Sequence, residues 1–475
     1  MGCVLARVTV DMLPDVALLE IFDFYVSDTK ARIEAWHTLV HVCRKWRNVV
    51  FGSPRRLNLR LYCGPRTPVR EMLDVWPSLP IVVEAFDCKI EIEDMDNIIA
   101  ALEHNERIYR LDLDLFPNLL VMMQQPFPAL THLELCSDGE TMPVVSNSFL
   151  GGSAPHLQEI TLIGFPFPGL PKLLSTATRL VTLALGSIPH SGYISPEAMV
   201  TCLSSLTTLE NISIDFESHR SRPGRRLPPP PPTRTLLPAL TRLKFRGVSE
   251  YLEEFVARID VPLLTKLNIT FFHQLIFNTP QLVQFISCIP KFETNDGDLR
   301  VVFSCIGCWV TFPQTSDGEL KLGFECRQAD WQLSSLAQIC NSSFPQALIH
   351  TVEHLCIYES SIFRPEWQDD IEISQWIEVL HSFATVEYLS LSREFTSHIA
   401  PVFQELVGET VTEVLPALRT LFLEDPPTSG PVQEAIERFT AARQLAGLPI
   451  AVSRWESNQS KLPEERSEDE WSEDE

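Results

Sequence analysis

One apolar spacing recurs along this chain. Leu-x-x-Leu-x-Leu and its close variants appear as Ile108-Leu111-Leu113, Leu130-Leu133-Leu135, Leu157-Ile160-Leu162, Leu180-Leu183-Leu185, Leu209-Ile212-Ile214, Leu240-Leu243-Phe245 and Leu264-Leu267-Ile269. After a gap it returns as Val352-Leu355-Ile357, Val386-Leu389-Leu391 and Leu418-Leu421-Leu423. Outside the gap, successive copies lie 22 to 34 residues apart. The last two apolar positions of each copy alternate with polar ones, which predicts a short strand with one buried face. The segment between copies is long enough for a helix and two turns, and helical stretches are visible at 196–203, 251–258 and 280–288. A single strand–helix unit cannot bury its apolar side alone, so neighbours must stack. Pro128, Pro155, Pro238, Pro262 and Pro416 each stand two residues before the first apolar position.

The first fifty residues follow a different period. Leu18, Ile21, Phe22 and Tyr25 fall on one face of a helix that opens at Leu13-Pro14, where a proline costs no hydrogen bond. Ser27, Asp28 and Thr29 break the pattern, and Asp28 or Thr29 can cap a second, longer helix. There Trp36, Leu39, Val40, Cys43, Trp46 and Val50 form one stripe, and Thr38, Val42 and Val49 a smaller one. A helix apolar on two sides is buried on two sides, and a unit this small hides so much surface only with help. That help is either the rest of the chain or a partner.

Two interruptions break the repeat. Residues 218–234 carry five consecutive prolines among arginines, read as a solvated, extended loop. Within it Arg225-x-Leu227-Pro228-x-x-Pro231 matches a ligand motif for SH3-type domains. Residues 295–326 hold β-rich runs beside the turn dipeptides Asp296-Gly297 and Asp317-Gly318, read as a small β insertion or two distorted repeats.

Charge narrows the partners. The formal net charge of the 475 residues is −24, which argues against a general nucleic-acid binder. Residues 464–475 contain eight acids against one arginine. The segment 451–475 is read as a disordered acidic tail, and Ser467 and Ser472 each have an acid three residues on, as acidophilic kinases prefer. No apolar run approaches a bilayer span, and the start lacks a signal-peptide pattern. Gly2-Cys3 begins like an acylated protein, but Ala6 stands where that motif wants Ser or Thr. Twelve scattered cysteines fit reduced thiols in cytoplasm or nucleus.

Leu13-Pro14, Ile21-Phe22 and Cys43-Arg44-Lys45-Trp46-Arg47, in that order and spacing, resemble an F-box. The repeats resemble leucine-rich repeats, without the usual Asn or Cys after the strand and with wandering length. Trp36-His37-x-Leu39 and Pro54-Arg55-Arg56-Leu57-x-Leu59 are similar to F-box proteins abundant in mushroom-forming fungi, the basidiomycete type. The resemblance implies an α/β fold: a small all-α F-box (1–60), then an irregular leucine-rich-repeat solenoid (61–450). It implies a non-catalytic substrate receptor, docked through a Skp-type adaptor to a cullin ubiquitin ligase and holding a protein substrate on its repeats. Leu13, Pro14, Leu18, Ile21, Phe22, Val42, Cys43 and Trp46 would build or present the adaptor surface. Polar strand positions would face the concave side: Arg110, Asp112, His132, Glu134, Glu159 and Thr161 early. Arg242, Lys244, Lys266 and Asn268 follow in the middle, then His354, Tyr388, Ser390, Thr420 and Phe422. Early copies lean acidic and middle ones basic, a polarity suited to steering a protein.

No cofactor is implied. Cys305-x-x-Cys308 lacks a second pair for zinc and reads as buried strand thiols. His350, His354 and Cys356 follow from repeat position. There is no Walker loop, dinucleotide fingerprint, Gly-x-Ser-x-Gly or His-Glu-x-x-His. The competing expectations are a repeat scaffold that recruits no ligase, and an enzyme whose site lies in the β insertion.

Overall fold

The structure is a computed structural model that describes residues 13–28, 35–85, 92–114, 116–137, 144–219, 234–274, 276–292, 297–313, 318–360, 363–364, 373–406, 408, 410–426 and 429–455. The proline-rich motif, Thr29, Asp296, Asp317 and the acidic tail beyond 455 lie outside the described residues. The chain divides into two compact units, Met1–Tyr193 with Ser205–Leu209, and Ile194–Ser204 with Glu210–Glu475.

The first unit opens with helices α1 (Asp15–Asp28), α2 (Ala35–Val42) and α3 (Arg44–Gly52). The long second helix expected from the pattern is broken into two at Cys43. Cys43 is extended (φ −158°, ψ 171°), and its Sγ accepts the N–H of Trp46 at 3.5 Å, capping α3. The break turns Trp46 onto Phe22, with ring centroids 4.7 Å apart. Leu18 and Phe22 are fully buried. Trp36 is buried against Trp76 at 5.3 Å, and its indole N–H donates to the Arg60 carbonyl at 3.1 Å. Lys45 Nζ ties α3 to the Leu13 carbonyl at 2.7 Å.

Six parallel strands follow in chain order: β1 (Leu61–Cys63), β2 (Ile81–Ala85), β3 (Ile108–Asp114), β4 (His132–Cys136), β5 (Glu159–Ile163) and β6 (Thr182–Ile188). The first two precede the earliest repeat visible in the sequence. The second unit holds β7 (Asn211–Phe216), a two-residue pairing of β8 (Thr235–Leu236) with β10 (Ile259–Asp260), β9 (Arg242–Gly247) and β11 (Lys266–Phe272). It continues with β12 (Asp298–Phe303), β13 (Gly307–Pro313), β14 (Glu319–Glu325), β15 (His354–Glu359), β16 (Tyr388–Leu391), β17 (Thr420–Leu423) and β18 (Ala451–Arg454). Its sheet order is β7-β9-β11-β14-β13-β12-β15-β16-β17-β18.

The β-rich interruption is part of this sheet. β14 runs parallel to β11 and β12 parallel to β15, while β13 is antiparallel to both its neighbours. Three consecutive strands thus occupy rungs of the parallel array. Gly323 is required where Trp309 crosses it: a Cβ there would stand 2.4 Å from the indole Cδ1. Ala451–Arg454, placed by sequence in the tail, instead pairs with β17 as the last strand.

The recurring proline has a local cause. In each repeat the N–H of the first apolar residue bonds the carbonyl three residues back: Leu130 to Phe127, Leu157 to Ala154, Leu240 to Leu237, Leu264 to Val261 and Leu418 to Leu415. The proline is the second residue of that β-turn, where its fixed φ is an advantage. The carbonyl-bearing residue is buried every time, so the turn adds a further apolar contact to the Leu-x-x-Leu-x-Leu set.

Neighbouring rungs are joined by one carbonyl that accepts two consecutive N–H groups. Thr131 O takes Gln158 and Glu159 (2.8 and 3.1 Å), and Gln158 O takes Val181 and Thr182 (2.8 and 3.0 Å). In the second unit Glu210 O takes Thr241 and Arg242, Thr241 O takes Thr265 and Lys266, and Glu353 O takes Glu387 and Tyr388. Threonine hydroxyls add to it: Thr131 to Tyr109 O at 3.0 Å, Thr241 to Glu210 O at 3.2 Å and Thr265 to Thr241 O at 3.1 Å.

Connections between strands carry the helices that cover the buried face. Glu253 is buried and caps helix Pro280–Ser287, accepting the N–H groups of Gln281 and Leu282 at 2.9 and 2.7 Å. Arg443 is fully buried and donates to the carbonyls of Val411, Leu415, Pro416 and Leu418, fastening helix Pro431–Leu445 to the turn before β17. Among the described residues no helix is long and apolar enough to cross a membrane.

Substitutions should rank by these contacts. Leu267→Ala, at a fully buried strand position, is expected to cost about 2–5 kcal/mol. Thr265→Val, which removes one ladder hydrogen bond, should cost about 1 kcal/mol, and Arg443→Ala about 3 kcal/mol or more, because the carbonyls it serves are left dry. Urea denaturation midpoints check the order.

Candidate interaction surfaces

The adaptor-surface residues read from sequence divide in the structure. Leu18 and Phe22 are core, and Leu13, Cys43 and Trp46 are half-buried. Pro14, Ile21 and Val42 are exposed, the last two at 49% and 55%. Sequence reading missed Phe24, which is 73% exposed. The signal was its i+3 spacing from Ile21; with half-buried Ala17, these three make a stripe on α1 beside the buried Leu18–Phe22 edge. Apolar side chains this open on a helix fixed from its other side form a surface that water covers poorly.

The polar strand positions of the first unit share one face and meet. Arg110, His132 and Glu159 stand in register across β3, β4 and β5; the next row is Glu84, Asp112, Glu134 and Thr161. Asp112 is 1% exposed and bound to Arg110 Nε, while its Oδ1 has no hydrogen-bond partner. Burial raises the carboxyl pKa of Asp112, and neighbouring Glu84 adds to the rise, outweighing Arg110; the same ion pair makes Arg110 hold its proton more tightly. Burial and then Asp112 raise Glu134 likewise. Burial lowers His132, against Glu159 at 3.6 Å.

In the second unit the corresponding face is basic over its middle strands. Arg242 and Lys266 are register partners, and Lys244, Asn268 and Lys321 form the next row. That row continues through Thr311 to Arg300. Arg246 is held between Asp215 (2.9 Å) and Glu325 (3.1 Å) at one end of a cleft of about 540 Å³ lined also by His273, Ile306 and Trp331. Sequence reading found Arg242, Lys244 and Lys266 but missed Lys321 and Arg300, which lie on strands of the interruption. The acidic and basic sets belong to different compact units.

On the later strands His354 joins two neighbours. Its Nε2 lies 2.8 Å from Ser390 Oγ and 3.5 Å from Cys356 Sγ, and its Nδ1 lies 3.3 Å from Asp298. The constituents are those of a nucleophilic triad, but Ser390 is fully buried and its strand is paired on both sides. A nucleophile needs access and free donors for an oxyanion, so this chain of contacts ties rungs together. The half-buried rings of Tyr388 and Phe422 lie 6.2 and 6.4 Å from the His354 ring, and Thr420, also half-buried, is the register partner of Tyr388. At the ends of β15, β16 and β17 a cleft of about 320 Å³ is lined by Glu359, Arg364, Arg393, Glu394, Glu424 and Asp425. Its helix start is already capped, with Arg393 N–H donating to Glu424 at 3.1 Å.

The cysteine pair does not converge on a polar pocket. Cys308 is fully buried in β13 and Cys305 sits in the turn before it, its N–H bonded to Phe363 O. Burial pushes the Cys308 thiol up, and the Cys340 thiol up to about 12. No group of three or more His, Cys, Asp or Glu that could hold a metal occurs among the described residues.

No family model matches the chain, and no curated protein matches it. A solved structure, the leucine-rich repeat-containing protein LegL7 from Legionella pneumophila, is similar over 69% of this chain and 96% of its own, at 12% identity and a TM-score of 0.28.

Two outcomes follow from the buried groups. Asp112 and Glu134 bind protons more tightly folded than unfolded, so stability falls as pH rises from the ordinary carboxylate range through their raised values. Urea midpoints measured against pH should show this slope, flattened in Glu134→Gln. In iodoacetamide labelling at pH 8, exposed Cys288 should react while Cys308 and Cys340 stay protected until denaturant is added.

Proposed function

We propose that this chain is a non-catalytic receptor subunit: its N-terminal helices dock on a Skp-type adaptor of a cullin ubiquitin ligase, and its sheet faces hold a protein substrate. The observation that carries the docking half is the exposed stripe of Ile21 and Phe24 on a helix whose opposite edge is locked by Phe22 on Trp46. Pro14 and Val42 add exposed apolar surface at the starts and ends of the same helices. Large apolar groups held rigidly in the open are what a partner helix or groove can bury at low entropic cost. Rows of segregated charge on the sheet faces, acidic in the first unit and basic in the second, suit steering and register of a protein ligand. Ubiquitin transfer would then be positional, by raising the effective concentration of substrate lysines at the charged enzyme. The scaffold reading without a ligase shares the sheet faces and lacks the docking step.

The test keeps the fold intact. Ile21→Glu with Phe24→Glu changes only exposed side chains, and should weaken binding to a purified Skp-type adaptor by at least about 100-fold, roughly 2.7 kcal/mol, with an unchanged denaturation midpoint. Calorimetric titration reads the affinity, and urea denaturation the midpoint. Wild-type protein that shows no adaptor binding at roughly 10 µM overturns the ligase reading and leaves the scaffold.

A further inference from the structure

The first unit gathers more carboxylates on its open sheet face than that face can neutralise. Glu84, Asp112 and Glu134 are register partners on β2, β3 and β4, three adjacent rungs. Asp114 follows Asp112 on the same side of β3, and Glu159 stands one row back on β5. The cations nearby are already committed. Arg110 Nε holds Asp112 Oδ2 at 2.5 Å, the Arg60 guanidinium lies 3.9 Å over the Tyr109 ring, and His132 meets Glu159 at 3.6 Å. Among the described residues Glu84 and Glu134 are left with no hydrogen bond or ion pair, and between them the buried Asp112 keeps Oδ1 unserved. Like charges directly opposite on neighbouring strands repel, and a buried acceptor without a donor is costly. Cations held on this row relieve both.

We infer that the Glu84–Asp112–Glu134 row is the seat of a basic segment of a protein partner, with two arginine or lysine side chains on Glu84 and Glu134, either side of Asp112. This rests on the proposed use of the sheet faces by a protein and names the chemistry of the piece held there. Glu84 is exposed and Glu134 half-exposed, so both can be reached. They stand two strands apart, about 10 Å, which is the span of three residues of an extended segment crossing the strands. A single metal ion does not fit that spacing, and no group of three His, Cys, Asp or Glu able to hold one occurs among the described residues. Tyr62, half-buried on β1 in register with Val82, offers a ring beside Glu84 for the stem of a long cationic side chain. Cys136, the next residue of this face on β4, adds no charge: burial, then Glu134, pushes its thiol up to about 12. Burial raises the carboxyl pKa of Asp112 and of Glu134. Cations favour the ionised carboxylates, so the segment binds more tightly as pH rises through those raised values and less tightly below them.

Fluorescence anisotropy of the full-length chain with a labelled peptide repeating Arg-Ala-Ala tests the assignment, beside a peptide of the same sequence carrying citrulline for arginine, which keeps the shape and loses the charge. The arginine peptide should bind and the citrulline peptide should not. Glu84→Gln with Glu134→Gln should weaken binding at least about 10-fold, with a urea midpoint no lower than wild type. Glu434→Gln with Glu437→Gln removes the same charge from exposed positions on helix Pro431–Leu445 of the second unit, and should leave affinity within about two-fold. Wild-type affinity should fall as pH drops from about 7 toward the ordinary carboxylate range. No binding of the arginine peptide up to about 1 mM, equal binding of the citrulline peptide, equal loss in the two glutamine pairs, or affinity indifferent to pH would overturn it. None of these readouts involves the adaptor: failure here leaves docking through Ile21 and Phe24 standing, and failed adaptor binding leaves the acidic row.

Discussion

The array depends on a shared acceptor at the approach to many of its strands. Ahead of β4, β5, β7, β9, β12, β15 and β16 a carbonyl takes two successive N–H groups from the next rung, as Thr241 O does from Thr265 and Lys266. Buried N–H groups must be paired, and this bond pairs them where the chain turns into the strand. A backbone carbonyl accepts them, and threonine hydroxyls donate to the same carbonyls, as Thr241 does to Glu210 O and Thr265 to Thr241 O. That arrangement constrains only the approach to the strand. The connections behind it are free to vary, which is why repeats 22 to 34 residues apart can use one strand register.

The same constraint explains how the interruption is tolerated. β14 meets β11 and β12 meets β15 in the parallel register every other rung uses, with Glu319 N–H on Thr265 O and Glu353 N–H on Gly297 O. Only β13 is reversed, and it is enclosed by the two strands it pairs with. The buried face stays continuous through Val310, Leu322 and Val301. The open face gains Lys321 and Arg300, so the interruption extends the row that Lys244 begins on β9.

Burial sorts the candidate residues into those that can meet a partner and those that cannot. Phe22 and Leu18 shape α1, while Ile21 and Phe24 on the same helix are left to solvent. Asp112 is buried with one oxygen unserved, whereas Lys244 in the other unit is exposed. The His354–Ser390 pair shows the limit of composition as a guide to chemistry: the right groups touch, but the hydroxyl is shut in between paired strands.

By itself the sequence determined the repeat strands and which of their positions are buried. Leu-x-x-Leu-x-Leu makes a buried-open alternation whatever its neighbours are, and a proline two residues earlier sets the turn, because both are local consequences of side-chain period and fixed φ. The alternation also named Arg242, Lys244, Asp112 and Glu134 as open-face positions. Tertiary structure alone decided where α2 ends, since Val40, Cys43 and Trp46 fit one helical stripe and the break depends on a sulfur cap and on Trp46 reaching Phe22. It alone set β13 against its neighbours, and brought Lys321 and Arg300 into line with Lys244 across some 77 residues of chain. Strand order is a matter of which edges meet, and no residue spacing within a strand encodes that.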